Sequence, residues 1–213
     1  MTNVPICALP SSLVSLAITE SYLPFNWFQP LSMLPHLLPN LKELDLSRSS
    51  KTWDADLGHI ARAWSGLTAL KLNHCYRVTA EGLQSVAEGL RQLEVLEIAG
   101  TQCDGMAVHH ICRNLAATLR RLSVAECSSF DDGCAGTVAE MLTNLQSLDV
   151  SKCSRLSDDG LLVFTQLNAN VRHLNVSSTV VSCDTLAQLK NILPSCDIVG
   201  EVLTSVQVVP TLT

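Results

Sequence analysis

Aromatic residues are scarce in this chain: Phe, Trp and Tyr make up 4% of its 213 residues, whereas hydrophobic residues as a whole make up 47%. The core must therefore be built from Leu, Val, Ile and Ala side chains. A chain of this length can bury one sizeable core, either as a single large domain or as an array of repeats.

Basic clusters and long apolar runs are also missing. The chain has 14 Lys and Arg against 20 Asp and Glu, which gives a net charge of −6. Without a basic block, nucleic acid and anionic membrane surfaces are not expected as partners. No apolar run approaches the roughly 18 residues that a membrane span needs, and the N-terminus lacks the basic segment that begins a signal peptide. We expect a cytoplasmic or nuclear protein whose nine cysteines are reduced.

Motifs of catalysis and phosphate binding are absent as well. The sequence contains no GxGxxG after a strand, no Walker A motif, no HExxH and no GxSxG. We therefore expect no enzymatic activity, no catalytic residues and no cofactor. An enzyme would instead be indicated by a bound metal or by an exposed thiol that activity requires.

What the sequence does contain is an internal repeat. Segments of the form LxxLxL recur every 26 residues, beginning at Leu41, Leu67, Leu93, Leu119, Leu145 and Val171. An earlier copy begins at Leu13, and the segment CDIVG at 196–200 arrives where a further strand is due. Apolar residues at the first, fourth and sixth positions predict a short strand with one buried face.

The second half of each repeat has helical spacing. In one copy, the positions i, i+3, i+4 and i+7 are occupied by Leu83, Val86, Ala87 and Leu90. Helix N-caps are predicted at Thr79, Asp131 and Ser157. Because no single strand–helix unit can bury its own apolar face, such units stack on one another. The sequence thus predicts an α/β solenoid with a parallel sheet on the concave face and helices on the convex face.

The repeats resemble the cysteine-containing leucine-rich repeat, whose unit reads approximately LxxLxLxxCxxLTDxGLxxLAxxCxx. The best matching copies are LTALKLNHCYRVTAEGLQSVAEGLRQ and LQSLDVSKCSRLSDDGLLVFTQLNAN. This type is typical of the F-box/LRR substrate receptors of ubiquitin ligases and of proteins similar to the yeast antagonist of mitotic exit network protein. The resemblance covers about Leu13 to Gly200 and implies a leucine-rich-repeat horseshoe.

For function, the resemblance implies a non-catalytic protein–protein interaction module. Its role would be to recognise a substrate or partner in an SCF-type ubiquitin ligase pathway, with a cullin–adaptor complex as one partner. The alternative is a structural scaffold or assembly subunit of a larger complex, axonemal or mitochondrial, with no ubiquitin role. We expect the chain by itself to be a monomer.

The repeat register predicts a single leucine-rich-repeat domain over 1–213. It divides into an irregular N-terminal capping repeat at 1–40, six 26-residue repeats over 41–196, and a C-terminal strand and tail at 197–213. An F-box would need a helical module before the repeats. Since Leu13 and Leu16 are already in the repeat register, the sequence predicts no F-box in this chain, and an F-box upstream of it stays an open alternative.

A cluster of thiols and carboxylates, AECSSFDDGC at 125–134, first resembles a reactive site. Its Cys127 stands at the ninth position of the repeat, however, where small residues that can hydrogen-bond recur: Ser49, Cys75, Thr101, Cys127, Cys153 and Thr179. Interchange with Ser and Thr argues against a metal ligand, because zinc needs three or four convergent ligands. We interpret the column as a structural ladder that satisfies backbone groups at the turn.

Cysteines also occur in two other arrangements that bear on chemistry. Strand spacing of about 5 Å would make a disulfide between Cys127 and Cys153 sterically conceivable, but a reducing compartment argues against it. The run HHIC at 109–112 is the one local cluster of His and Cys. We interpret it as an ordinary convex-face helix with Cys112 in the core, and we expect no metal site.

The candidate partner-binding surface is the concave face. Its strand positions facing away from the core carry a mixed-charge set that we predict to contact a protein partner: Glu43, Asp45, Lys71, Val95, Glu97, Arg121, Asp149, His173 and Asn175. The eighth position adds Glu20, Arg48, His74, Glu126 and Lys152 along the rim. These columns contain no aromatic residue, although interface hot spots are rich in Trp, Tyr and Arg. A possible second surface is therefore Trp27 and Phe28 in the irregular first unit, or the apolar tail at 201–213.

Overall fold

The structure, a computed structural model, describes residues 9–19, 38–167 and 170–200. Trp27, Phe28, most of the proposed capping repeat and the 201–213 tail lie outside these residues. The described strands are β1 (Ser15–Ala17), β2 (Glu43–Asp45), β3 (Ala69–Lys71), β4 (Val95–Glu97), β5 (Arg121–Ser123), β6 (Ser147–Asp149), β7 (His173–Asn175) and β8 (Asp197–Val199). The helices are α1 (Asp54–Ala63), α2 (Ala80–Gly89), α3 (Gly105–Leu115), α4 (Asp132–Met141), α5 (Asp158–Leu162, continued by a 3-10 turn at Val163–Gln166) and α6 (Cys183–Ile192).

The strands form one parallel sheet in chain order. Each strand pairs in register with the next, so that Leu44 lies beside Leu70, Leu70 beside Leu96, and Leu96 beside Leu122. The repeat period of the sequence is therefore the register of the sheet. The predicted α/β leucine-rich-repeat solenoid is confirmed, with the sheet on the concave side and the helices on the convex side.

A continuous aliphatic core runs between the sheet and the helices. In the repeat that begins at Leu67, the strand side chains of Leu70 and Leu72 and the helix side chains of Leu83 and Val86 are fully buried. Burying an aliphatic side chain of this size contributes about 1.5–3 kcal/mol. Because each repeat is covered by its neighbours, this burial requires the stacked array.

The three predicted helix caps are confirmed. Thr79, Asp131 and Ser157 are the N-caps of α2, α4 and α5, and each side chain accepts a hydrogen bond from a backbone N–H in the first turn. Such a cap is worth about 1 kcal/mol, since it satisfies one of the donors that a helix N-terminus leaves open.

An aspartate at the start of one helix also binds the cap residue of the next repeat. Asp132 Oδ1 accepts a hydrogen bond from the backbone N–H of Ser157 at 2.8 Å, and its Oδ2 accepts one from the Ser157 hydroxyl at 2.6 Å. Asp54 binds Thr79 in the same two ways, at 2.8 and 2.6 Å. We call this pair of contacts the inter-repeat clasp.

The clasp explains the glycine three residues after the cap. A Cβ added to Gly160 would overlap the Asp132 carboxylate, and one added to Gly82 would overlap that of Asp54. Helices α3 and α4 follow helices that begin with Ala80 and Gly105, which have no carboxylate to offer. Their equivalent positions are Ala107 and Cys134. Glycine therefore accompanies the clasps that make both contacts. At α6, Asp158 accepts from the backbone N–H of Ser182 at 2.8 Å, and the equivalent residue there is Thr185.

Within the described ranges, no helix combines the length and apolar character that crossing a membrane would require.

Candidate partner-binding surface

The predicted concave set lies on six consecutive strands, from β2 to β7. In each three-residue strand the central leucine points into the core, and the two flanking residues lie on the concave face. Glu43 and Arg121 are exposed, whereas Lys71 and Glu97 are half-buried. The structure thus brings these residues onto one face, which is the geometry that partner binding on this surface requires.

A hollow of about 510 Å³ lies where the concave face meets the loops that lead from the strands to the helices, here called the ascending loops. Its walls include Glu97, Arg121 and Asp149 of the predicted set and Arg48, His74 and Glu126 of the rim. Glu43, Asp45, Lys71, Val95, His173 and Asn175 are on the same sheet but do not line the hollow.

Glu97 is held in place by its neighbours. Its Oε1 lies 3.4 Å from Lys71 Nζ, and its Oε2 accepts a hydrogen bond of 2.9 Å from Asn73 Nδ2. The Asn73 side-chain carbonyl in turn accepts from the backbone N–H of Ala99. Glu97 is therefore neutralised within the protein, and this part of the hollow presents a fixed, nearly balanced set of charges.

Arg121 is different. Its side chain is exposed on the concave face beside the hollow, and no hydrogen bond or ion pair is recorded for it with any described residue. A guanidinium can bind a carboxylate through two parallel N–H···O contacts. Arg121 is thus the concave-face cation that can receive an acidic side chain from a partner.

A second ion pair crosses the rim of the hollow. Lys152 Nζ donates to Glu126 Oε1 at 2.6 Å, and His74 Nδ1 lies 3.8 Å from Glu126 Oε2. The hydrogen bond from Lys152 holds the pKa of the Glu126 carboxyl below its ordinary value, and the charges of Lys152 and His74 act in the same direction. Glu126 is therefore ionised at neutral pH.

The rim side chains reach their positions through a left-handed backbone. The eighth residue of each described repeat has φ between +57° and +67°: Arg48, His74, Gly100, Glu126, Lys152 and Ser178. At this point the backbone N–H still bonds across to the next repeat, as from His74 to the Ala99 carbonyl at 2.6 Å. The chain turns sharply there, and the side chain is directed onto the ascending-loop edge. Gly100 was the one sequence signal for this conformation.

The ninth-position column is buried, and its side chains are hydrogen-bonded except that of Ser49, whose Oγ has no partner among the described residues. Cys75 and Cys153 donate their thiols to carbonyls of the preceding repeat, those of Leu46 and Val124, both at 3.2 Å. The hydroxyl of Thr101 instead bonds the carbonyl of Ile98 in its own repeat at 2.7 Å. Burial raises the pKa of Cys153 to about 12, and the nearby Cys127 adds to this effect. A thiol in that state is not a nucleophile at neutral pH.

The structure also brings thiols of two neighbouring repeats together. Cys103 lies within hydrogen-bonding reach of Cys127, and that contact together with burial raises the pKa of Cys103 well above its ordinary value. All cysteines of the described ranges are free. Among these residues, no group of three or more His, Cys, Asp or Glu side chains is arranged to hold a metal ion.

Sequence reasoning missed two exposed aromatic residues on the ascending loops. Trp53 is 51% exposed and Tyr76 is 63% exposed. The guanidinium carbon of Arg77 lies 4.2 Å from the centre of the Trp53 ring. Both rings were missed because the search followed the strand columns. The column of helix caps, in which Trp53 stands among Thr, Asp and Ser, would have revealed the first of them.

Comparisons with known proteins agree with this architecture. The family described as "Leucine Rich repeat" matches residues 142–164. F-box/LRR-repeat protein 12 of Mus musculus is 33% identical over 100 residues, which are 47% of this chain and 30% of the mouse protein. The chain thus matches less than a third of that relative's length.

Solved structures show the same fold at low sequence identity. A chain in the crystal structure of the yeast Rad7 and Elc1 complex has a TM-score of 0.69 at 17% identity, over 96% of this chain and 54% of that one. The leucine-rich repeat-containing protein LegL7 from Legionella pneumophila has a TM-score of 0.61 at 19% identity, over 90% of this chain and 66% of that one. Taken with the repeat register and the family match, these findings show that the chain has the leucine-rich-repeat fold and resembles F-box/LRR receptors.

Proposed function

We propose that the chain is a non-catalytic module that recognises a protein substrate or partner through its concave face, in an SCF-type ubiquitin ligase pathway. The observation that carries the proposal is the hollow between the concave sheet and the ascending loops, where Arg121 is exposed beside carboxylates that are already paired. Concave faces of repeat solenoids offer extended binding surfaces, and function on such proteins concentrates on surface loops set on a rigid scaffold.

The charges of the hollow favour a particular kind of contact. Glu97 and Glu126 are neutralised by Lys71 and Lys152, so a partner gains little by approaching them. Arg121 carries a charge that no described carboxylate neutralises. A partner that places an Asp or Glu side chain on Arg121 would form a charge-assisted, two-pronged contact at the edge of a partly enclosed hollow.

The ubiquitin-pathway role is supported by resemblance. The cysteine-containing repeat pattern and the local identity to F-box/LRR-repeat protein 12 both point to receptors that join a substrate to a cullin–adaptor complex. On the same basis we place the protein in the cytoplasm or nucleus, where its buried thiols stay reduced. A cullin–adaptor complex is accordingly the second partner that we propose.

The proposal is tested by proximity labelling and affinity capture with the wild type beside Arg121→Glu and the double variant Lys71→Glu, Arg121→Glu. Arg120→Glu is the matched control: it makes the same charge change one residue away, at a side chain that pairs with Glu94 and does not line the hollow. We expect Arg121→Glu to weaken partner capture by at least tenfold, the size typical of a charged hot spot, while Arg120→Glu keeps it.

Recovery of a cullin–adaptor complex or of ubiquitylated clients by the wild type supports the ligase pathway. Recovery of one large assembly at fixed stoichiometry, with no ubiquitin-pathway component, would instead establish the scaffold alternative. Equal capture by Arg121→Glu and the wild type would reject the concave face as the binding surface.

A further inference from the structure

Two neighbouring ascending loops, at 46–53 and 72–79, carry an exposed group of aromatic and cationic side chains. We call Trp53, Tyr76 and Arg77 the aromatic rim. Arg77 stacks over the Trp53 ring at 4.2 Å, and the Tyr76 ring lies 6.0 Å from that of His74. Because His74 also lines the hollow, the aromatic rim continues the concave surface onto the edge of the solenoid.

The stability of the fold does not account for Trp53. It occupies the N-cap of α1, where the other described caps are Thr79, Asp104, Asp131, Ser157 and Ser182. An indole is a donor only, so it cannot accept the hydrogen bond that these caps take from the first turn. The helix is instead held by Asp56, whose Oδ2 accepts from the backbone N–H of Trp53 at 2.8 Å. A large apolar ring therefore replaces a better local choice and remains half exposed.

The electrostatics around this ring favour a negatively charged partner. The two loops contain Arg48, Lys51 and Arg77 and no Asp or Glu, although the chain as a whole has a net charge of −6. The nearest carboxylates of α1 are already engaged: Asp54 binds the backbone and hydroxyl of Thr79, and Asp56 binds Trp53. Among the described residues, the Arg77 guanidinium contacts the Trp53 ring and pairs with no carboxylate.

We propose that the aromatic rim binds an acidic, extended segment of a partner protein. A carboxylate of the segment would pair with Arg77, and an adjacent apolar side chain would lie against Trp53 and Tyr76. Trp, Tyr and Arg are the residue types enriched among the hot spots of protein interfaces, and here Arg77 stacks over the Trp53 ring beside Tyr76 in the sequence. This site would be part of the proposed interaction role. It rests on that proposal in one respect, which is that the ligand is a protein.

The test uses the full chain and a fluorescein-labelled peptide of glutamate residues around one central leucine, followed by fluorescence anisotropy. Trp53→Thr and Arg77→Gln are each expected to weaken binding about tenfold. The thermal midpoint of Trp53→Thr should equal or exceed that of the wild type, because threonine supplies the missing cap. Opposite effects on binding and stability separate a lost contact from a damaged fold.

Matched controls come from the repeat itself. Arg155→Gln removes an exposed arginine from the same loop position as Arg77, two residues after the buried cysteine, and Val180→Ser removes a side chain that is 69% exposed on a later loop. Both variants should bind the peptide as the wild type does. A second peptide with glutamine in place of glutamate should bind at least tenfold more weakly to the wild type.

Equal binding of the glutamine peptide, or unchanged binding by Trp53→Thr and Arg77→Gln, would overturn the aromatic rim as an acidic-segment site. If Arg121→Glu abolishes partner capture while the peptide fails to bind, the rim proposal alone is rejected. If peptide binding depends on Trp53 and Arg77 while capture is indifferent to Arg121, the concave-face proposal alone is rejected.

Discussion

The inter-repeat clasp between Asp132 and Ser157 makes a quantitative prediction about Gly160. The Asp132 carboxylate accepts two hydrogen bonds, at 2.8 and 2.6 Å, from a partly solvent-accessible cap residue. A hydrogen bond to a charged group contributes about 1.5–3 kcal/mol when desolvated and less when water can replace it. We therefore expect Asp132→Ala to lower the free energy of unfolding by about 1–2 kcal/mol.

Gly160→Ala perturbs the same contact from the other side. The new Cβ would occupy the space of the Asp132 carboxylate, which must turn away and give up both hydrogen bonds. Against this loss stands the better helix propensity of alanine, about 1 kcal/mol. Displacing the carboxylate loses about 1–2 kcal/mol and alanine regains about 1 kcal/mol, so we expect a net loss of up to about 1 kcal/mol for the single variant.

The double variant Asp132→Ala, Gly160→Ala separates these effects. Without the carboxylate, the Cβ at residue 160 meets no obstacle from it, and alanine contributes its helix propensity. The double variant should therefore be no less stable than Asp132→Ala, which corresponds to a coupling of at least about 1 kcal/mol between the two sites. The assay is urea denaturation followed by circular dichroism, with Gly136→Ala as the control, because a Cβ there meets no atom within 4 Å. Additive losses would refute the clasp as the reason for the glycine.

Further predictions concern the left-handed rim residues and the loss of stability at low pH. Ser178→Gly should raise the free energy of unfolding by about 0.5–1 kcal/mol, because φ is +57° at that residue and glycine adopts a positive φ without strain. Gly100→Ala should lower it by about 1–2 kcal/mol, because φ is +67° there and His74 lies 2.9 Å from the new Cβ. Urea denaturation measures both variants, and a stabilising effect of Gly100→Ala would contradict the reasoning. Hydrogen bonds from Ser182 and Cys134 lower the pKa of Asp158 and Asp131 below the ordinary value. These carboxylates stabilise the fold above about pH 4, and this stabilisation is lost as the pH falls through their folded pKa. Between neutral pH and pH 3, the thermal midpoint of Asp158→Asn should therefore fall less than that of the wild type. Parallel curves of thermal midpoint against pH would contradict this prediction.

The fold could be predicted because residues that are one repeat apart in the sequence lie side by side in the sheet. Once Leu44, Leu70 and Leu96 are aligned in sequence, a parallel sheet with one residue of each repeat side by side is the arrangement that buries all of them. The helix caps were equally accessible, since a cap depends on its own side chain and the next turn.

The clasp and the rim were harder to predict because they depend on contacts between repeats. Asp132 binds a residue 25 positions later, and nothing within its own helix requires that contact. The left-handed eighth position is occupied by Arg, His, Glu, Lys and Ser, residues that give no sign of a positive φ. Hydrogen bonds to the neighbouring repeat impose the conformation there, and Gly100 alone records it in the sequence.

Contacts between repeats also explain why the number of charged residues on the concave face does not identify the candidate site. Lys71 and Lys152 are the most obvious cations of the concave face and its rim, yet each is paired with a glutamate of the adjacent repeat. Exposed ion pairs of this kind contribute little to stability, but they remove both charges from the set that a partner can use. Arg121 on the concave face and Arg77 on the aromatic rim have no such pairing among the described residues. Selectivity for an acidic partner should therefore reside in these two arginines, on a protein whose net charge alone would predict the opposite preference.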